Sequence, residues 1–97
     1  MSTIDEFFEA EKKRGKHYNS LDEKYIRLYY RDVFRSYIRM KRRIPNMTFY
    51  RIIHANQIKD AQYIGQFKPD EINTEVRERH LIRILVYKQL LRKKHNS

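Results

Sequence analysis

The sequence predicts an all-α protein: a small bundle or extended array of three to four helices joined by short loops. Three observations carry that expectation. Apolar residues recur at spacings of three and four along most of the chain. No stretch of useful length alternates with the period of a strand. The two glycines and two prolines fall between the helical patterns, where they punctuate them. At 97 residues the chain reads as a single small helical domain, 1–97, with no internal repeat.

Each element has its own signal. Thr3 with Glu6 forms a capping box that opens a short helix over about residues 3–14, presenting Ile4, Phe7 and Phe8. Gly15 and the polar stretch through Asn19 end it. Ser20 with Glu23 is a second box, and the helix behind it is long, about residues 21–43. Its apolar side holds Ile26, Tyr30, Val33, Phe34, Tyr37 and Ile38. Pro45 forces a break. A third helix is expected over about residues 48–64, burying Phe49, Ile52, Ile53 and Ala61, with Gly65 as its stop. The fourth runs over about residues 69–94. Pro69 sits in its first turn, Asp70 and Glu71 favour the positive end of its dipole, and Arg92, Lys93 and Lys94 suit the negative end.

Charge is the second theme. Lys plus Arg number 22 against 12 Asp plus Glu, a net +10 that favours adhesion to polyanions without naming one. Arg27, Arg31, Arg35, Arg39 and Arg43 lie four residues apart, so on a helix they form one cationic ridge. Like charges at that spacing repel by a few tenths of a kcal/mol per pair, roughly, so the row points to an anionic partner. Nucleic acid, acidic lipid headgroups and an acidic protein surface all qualify. Tyr25, Tyr29, Tyr30 and Tyr37 are interleaved with the ridge. They suit base stacking beside phosphate contacts, or a ring in the core with its hydroxyl at the rim; next to Val33 and Phe34 the packing role is preferred.

Signals for chemistry are absent. With no cysteine, neither a disulfide nor a thiolate metal site can form. His17, His54, His80 and His95 are scattered, and only His80, near Glu78, has an acidic neighbour at ligand spacing. There is no Gly-rich phosphate loop and no activated-nucleophile context. The expectation is a non-enzyme with no cofactor, no metal and no catalytic residues. No apolar run approaches the ~18–20 residues of a membrane span, and residues 1–11 carry Asp5, Glu6, Glu9 and Glu11 with no basic residue, unlike a secretory or mitochondrial presequence. Leu81, Ile82, Leu85, Val86, Leu90 and Leu91 give the last helix more apolar surface than a small bundle needs, which is expected to mark an interface.

Four short blocks, in order, resemble the ubiquinol–cytochrome c reductase binding protein family. They are Lys12-Lys13-Arg14-Gly15-Lys16-His17-Tyr18-Asn19-Ser20-Leu21, then Arg42-Arg43-Ile44-Pro45, then Tyr50-Arg51-Ile52-Ile53-His54-Ala55-Asn56-Gln57, then Phe67-Lys68-Pro69-Asp70-Glu71-Ile72. The third is the most specific. The resemblance implies a small all-helical accessory subunit on the matrix side of mitochondrial complex III, peripheral to the inner membrane. It would have no redox centre, and would support assembly and stability of ubiquinol-to-cytochrome c electron transfer. Cytochrome b and the core subunits are the implied partners, within a hetero-oligomer, with anionic lipid headgroups nearby. Arg27, Arg31, Arg35, Arg39, Arg42, Arg43, Tyr50 and Arg51 are the candidate partner-binding residues.

Two alternatives stay open. Tyr29-Tyr30-Arg31 with Phe34-Arg35 is similar to a degenerate Leu-Tyr-Arg motif, with Tyr29 in place of the Leu. That resemblance implies an adaptor for iron–sulfur or respiratory-complex assembly that binds acylated acyl carrier protein. A basic nucleic-acid-binding protein, ribosomal or viral, accounts for the charge and tyrosine content but for none of the four blocks.

Overall fold

The computed structural model describes residues 3–68 and 70–96, with side chains as far as Arg92. The chain is all-α, with four helices: α1 (Thr3–Lys13), α2 (Ser20–Lys41), α3 (Asn46–Gly65) and α4 (Thr74–Asn96). They form a bundle rather than an extended array. The radius of gyration is 14.2 Å, close to the ~13 Å of a compact chain this long.

The helix ends differ from expectation in instructive ways. Thr3 lies inside α1, and its hydroxyl donates to Gln89 Oε1 across the bundle instead of capping its own helix. Gly15 does end α1: its φ of 86° is left-handed, and Lys16 N donates back to Glu11 O at 2.9 Å, closing the helix in a Schellman turn. Asn19, not Ser20, caps α2; its Oδ1 accepts from Asp22 N at 2.8 Å. The α2 helix stops at Lys41, so Arg42 and Arg43 belong to the turn that follows. Pro45 sits at the N-cap of α3, which therefore begins at Asn46, earlier than expected. Gly65 closes α3 without a left-handed residue, because the following Gln66 keeps a right-handed φ of −76°.

The start of α4 moves most. Asp70 and Glu71 lie in a turn, and Glu71 N donates to Lys68 O at 2.9 Å. Pro69 lies outside the described residues. Asn73 supplies the cap instead, its Oδ1 accepting from Glu75 N at 2.9 Å and Val76 N at 3.4 Å.

Cross-helix contacts fix the directions. Tyr29 meets Arg83 and Tyr37 meets Tyr87, so α2 and α4 run the same way. Asp60 meets Arg83 and Tyr63 meets His80, so α3 runs against α4. Thr3 meets Gln89 and Glu11 meets Arg77, so α1 also runs against α4. Helix α4 touches all three others. Its apolar residues are consumed there: Ile82, Val86, Tyr87 and Leu90 are buried, and Leu81, Leu85 and Leu91 pack against the core. The expected apolar excess of an interface is the ordinary need of a central helix.

The core has two parts. One is Ile4, Phe7 and Phe8 of α1 with Ile26 and Ile82. The other is Phe49 and Ile53 of α3 with Val86, Tyr87 and Leu90. Tyr30 packs against both. Ala61, expected inside, is exposed; the buried position beside it is Asp60.

Candidate functional site

The eight candidate residues divide into groups. Arg27 is engaged within the molecule. Its Nη2 lies 2.7 Å from Asp5 Oδ1 and 3.1 Å from Glu23 Oε1, and its guanidinium covers the Phe8 ring at 4.8 Å. Its pKa is raised, chiefly by the hydrogen bond to Asp5. Arg27 therefore fastens α1 to α2 while its side chain stays partly exposed, a second role that the even spacing of the ladder concealed.

Arg31, Arg35 and Arg39 remain on the exposed side of α2. Among the described residues Arg31 pairs only with its exposed neighbour Asp32, with Nε 3.7 Å from Oδ1. Arg42, Arg43 and Arg51 are exposed at the α2–α3 corner. Among the described residues, none of Arg35, Arg39, Arg42, Arg43 and Arg51 has a carboxylate within 4.0 Å. Tyr50 is half-buried, edge-on to Phe49 with ring centroids 5.1 Å apart, and the Lys41 ammonium lies 5.5 Å from its ring centre. Tyr50 shapes the floor of the corner while the arginines form its surface.

The sequence explains why this end is uniformly basic: no acidic residue occurs from Val33 to Lys59. The N-terminal turn of α3 adds the partial positive charge of its free N–H groups, with no acidic residue in that turn and no side-chain cap. Ten of the twelve acidic residues lie instead in α1, the first turn of α2 and the stretch 70–78.

The tyrosines mostly pack. Tyr30 stacks on Phe34 at 6.2 Å and 27°. Tyr37 meets Tyr87 edge-on, their hydroxyls 3.2 Å apart, while Asn56 Nδ2 donates to Tyr37 Oη at 3.0 Å. Burial first, then the Tyr37 contact, pushes the Tyr87 hydroxyl far above its usual range. Tyr29 accepts from Arg83 Nη1 at 3.0 Å. Tyr25, 62% exposed, and Tyr63, 38% exposed, are the exceptions among the described residues.

Two polar centres escaped the sequence reading. Asp60 is buried and takes two bonds from Arg83, at 3.0 and 3.3 Å, with His80 Nε2 at 3.8 Å. Burial alone would lower the Arg83 pKa, but the Asp60 and Tyr29 hydrogen bonds outweigh it and the net shift is upward. His80 Nδ1 donates to Val76 O at 2.8 Å, and its ring stacks on Tyr63 at 4.3 Å. Glu11, equally buried, lies 3.1 Å from Arg14 Nη1 and 3.9 Å from Arg77 Nη1, and accepts from Tyr18 Oη at 3.4 Å. Helical periodicity marks Glu11 and Asp60 as inward-facing positions; their charge hides that signal.

Beside α1, a cleft of about 660 Å³ opens between the first halves of α2 and α4, lined in part by Tyr25, Tyr29, Asp22, Glu75 and Glu78. Burial, then repulsion from Glu11, Asp22 and Glu75, raises the Glu78 pKa despite nearby Lys16. Among the described residues no three His, Cys, Asp or Glu gather as a metal group, and no helix is long and apolar enough to cross a membrane.

No protein-family model, no curated protein and no solved structure matches the chain.

Proposed function

We propose that the protein is a non-catalytic accessory subunit of a respiratory-chain complex, complex III in its specific form, peripheral to the matrix face of the mitochondrial inner membrane. The observation that carries this is the acid-free basic end, where Arg31, Arg35 and Arg39 on α2 join Arg42, Arg43 and Arg51 at the corner. A surface of this kind is complementary to an acidic protein face and speeds encounter with it. The ordered blocks supply the choice of complex. Three of them overlap the connections between helices, the parts of a bundle best placed to meet neighbours. Cytochrome b and the core subunits are the partners in this reading, and assembly and stability of the complex are the role.

A second reading has an observation of its own. Arg31 and Arg35 face solvent one turn apart, while Tyr30 and Phe34 stack inward. That is the division of labour an adaptor of the Leu-Tyr-Arg type requires, with cations outside for an acidic acyl carrier protein and aromatics inside for the bundle.

The test is affinity capture of the native protein after mild detergent solubilisation. Co-migration with cytochrome b, lost on Arg31→Glu/Arg35→Glu/Arg39→Glu substitution, supports the complex III reading. Recovery of acyl carrier protein instead moves the assignment to the adaptor. Recovery of nucleic acid alone, with affinity falling steeply with salt, overturns both.

A further inference from the structure

The two most exposed large apolar side chains among the described residues both stand at helix starts: Leu21 at 79% and Met47 at 70%. Their settings are opposite. Leu21 precedes Asp22 and Glu23. Met47 stands in the acid-free stretch, in the first turn of α3 just past the corner, with Arg42 and Arg43 before it and Arg51 one helical turn after it. Lys41 lies over the rings of Phe49 and Tyr50 at 5.9 and 5.5 Å, so the apolar floor behind the corner is itself capped by a cation.

We propose that this α2–α3 corner is a tip that seats on an anionic lipid surface, with Met47 entering the interface and Lys41, Arg42, Arg43 and Arg51 among the headgroups. The chemistry favours lipid over nucleic acid. Phosphate contacts along nucleic acid gain nothing from a projecting thioether, and the exposed tyrosines, Tyr25 and Tyr63, lie in the first half of α2 and at the end of α3, away from the corner. A bilayer takes both parts at once: apolar tip below the headgroups, basic ring at their level. Ile44 and Tyr50, half-buried behind the tip, pack on the core and hold the corner's shape. The inference stands on the corner's own chemistry and not on the choice of respiratory complex.

The chain contains no tryptophan, so a single Met47→Trp substitution reports directly on the tip. The 97-residue variant is mixed with vesicles of phosphatidylcholine, or of phosphatidylcholine with phosphatidylserine. The expected result is a blue shift and quenching by brominated acyl chains with the anionic vesicles alone. Leu21→Trp, at the opposite pole, is expected to show neither. Arg42→Glu/Arg43→Glu on the Met47→Trp background is expected to lower partitioning by more than about twentyfold, roughly fivefold or more for each residue changed. Unchanged circular dichroism certifies the fold of each variant. Sedimentation with vesicles without a Met47→Trp shift, an equal shift for Leu21→Trp, or binding to neutral and anionic vesicles alike overturns the proposal. So does tight capture of an RNA homopolymer or an acidic protein in place of vesicles. Failure of the capture experiment above leaves this outcome unaffected, so the two readings fail separately.

Discussion

The two halves of the core are built on the same helix pair and hold their third helix by different means. Under α3 the contacts are nearly dry: Phe49, Ile53 and Val86 have no exposed surface. Under α1, Ile4, Phe7 and Phe8 each keep about 7%, and the helix is tied down at its edges by Arg27 to Asp5 and by Glu11 to Arg77. Length sharpens the contrast, since α1 has 11 residues and α3 has 20. Isolated helices shorter than ~12–15 residues are marginal in water. The α3 half thus belongs to the cooperative fold, and α1 is a strap held by three aromatic or aliphatic side chains and a rim of ion pairs.

The largest effect is expected for Phe49→Ala. Emptying a site with no exposed surface costs about 3–5 kcal/mol and should melt α2, α3 and α4 together in urea titration. Were α3 to detach alone, the contrast would fail. Next comes Asp60→Ala, which leaves Arg83 half-buried without its carboxylate; a loss of about 3 kcal/mol is expected in the same titration. Phe7→Ala is local, with a cost at the low end of the Phe→Ala range, about 3 kcal/mol, that falls on α1. Its signature is faster hydrogen exchange across residues 3–13 with α3 still protected. Global unfolding in that variant would make the two halves equivalent.

The smallest effect has the opposite sign. The Glu78 pKa is raised in the folded state, so its ionisation opposes folding. The penalty is absent below the ordinary carboxylate pKa and grows as pH rises through the folded value. Glu78→Gln should therefore stabilise at neutral pH by about a few tenths of a kcal/mol, the scale of a screened charge. The gain should vanish in acid, as followed by Tm against pH.

Much of the bundle was legible in the sequence because burial and periodicity coincide there. Ile26, Phe49, Ile53, Ile82 and Val86 lie at helical spacing and are inside. What was not legible depends on partners from other helices. Arg27 and Arg35 each have a carboxylate one turn earlier in the sequence, Glu23 and Asp32; what separates them is Asp5, which reaches Arg27 from another helix. Thr3 reads as a cap until Gln89 is found opposite it. The start of α4 is not fixed locally: Pro69 with Asp70 and Glu71, and the later Asn73, are all acceptable openings, and the choice falls to the turn that brings the chain back from α3. The apolar run of α4 resembles an interface because no local feature says that three helices share it.

The separation of charge along the bundle acts before any contact is made. Carboxylates collect toward the starts of α2 and α4, and the acid-free stretch collects at the α2–α3 corner. A molecule so divided feels a torque near a negatively charged surface and turns its corner forward while still in solution. Encounters then arrive already oriented, which raises the productive fraction of collisions and makes the association rate fall with ionic strength.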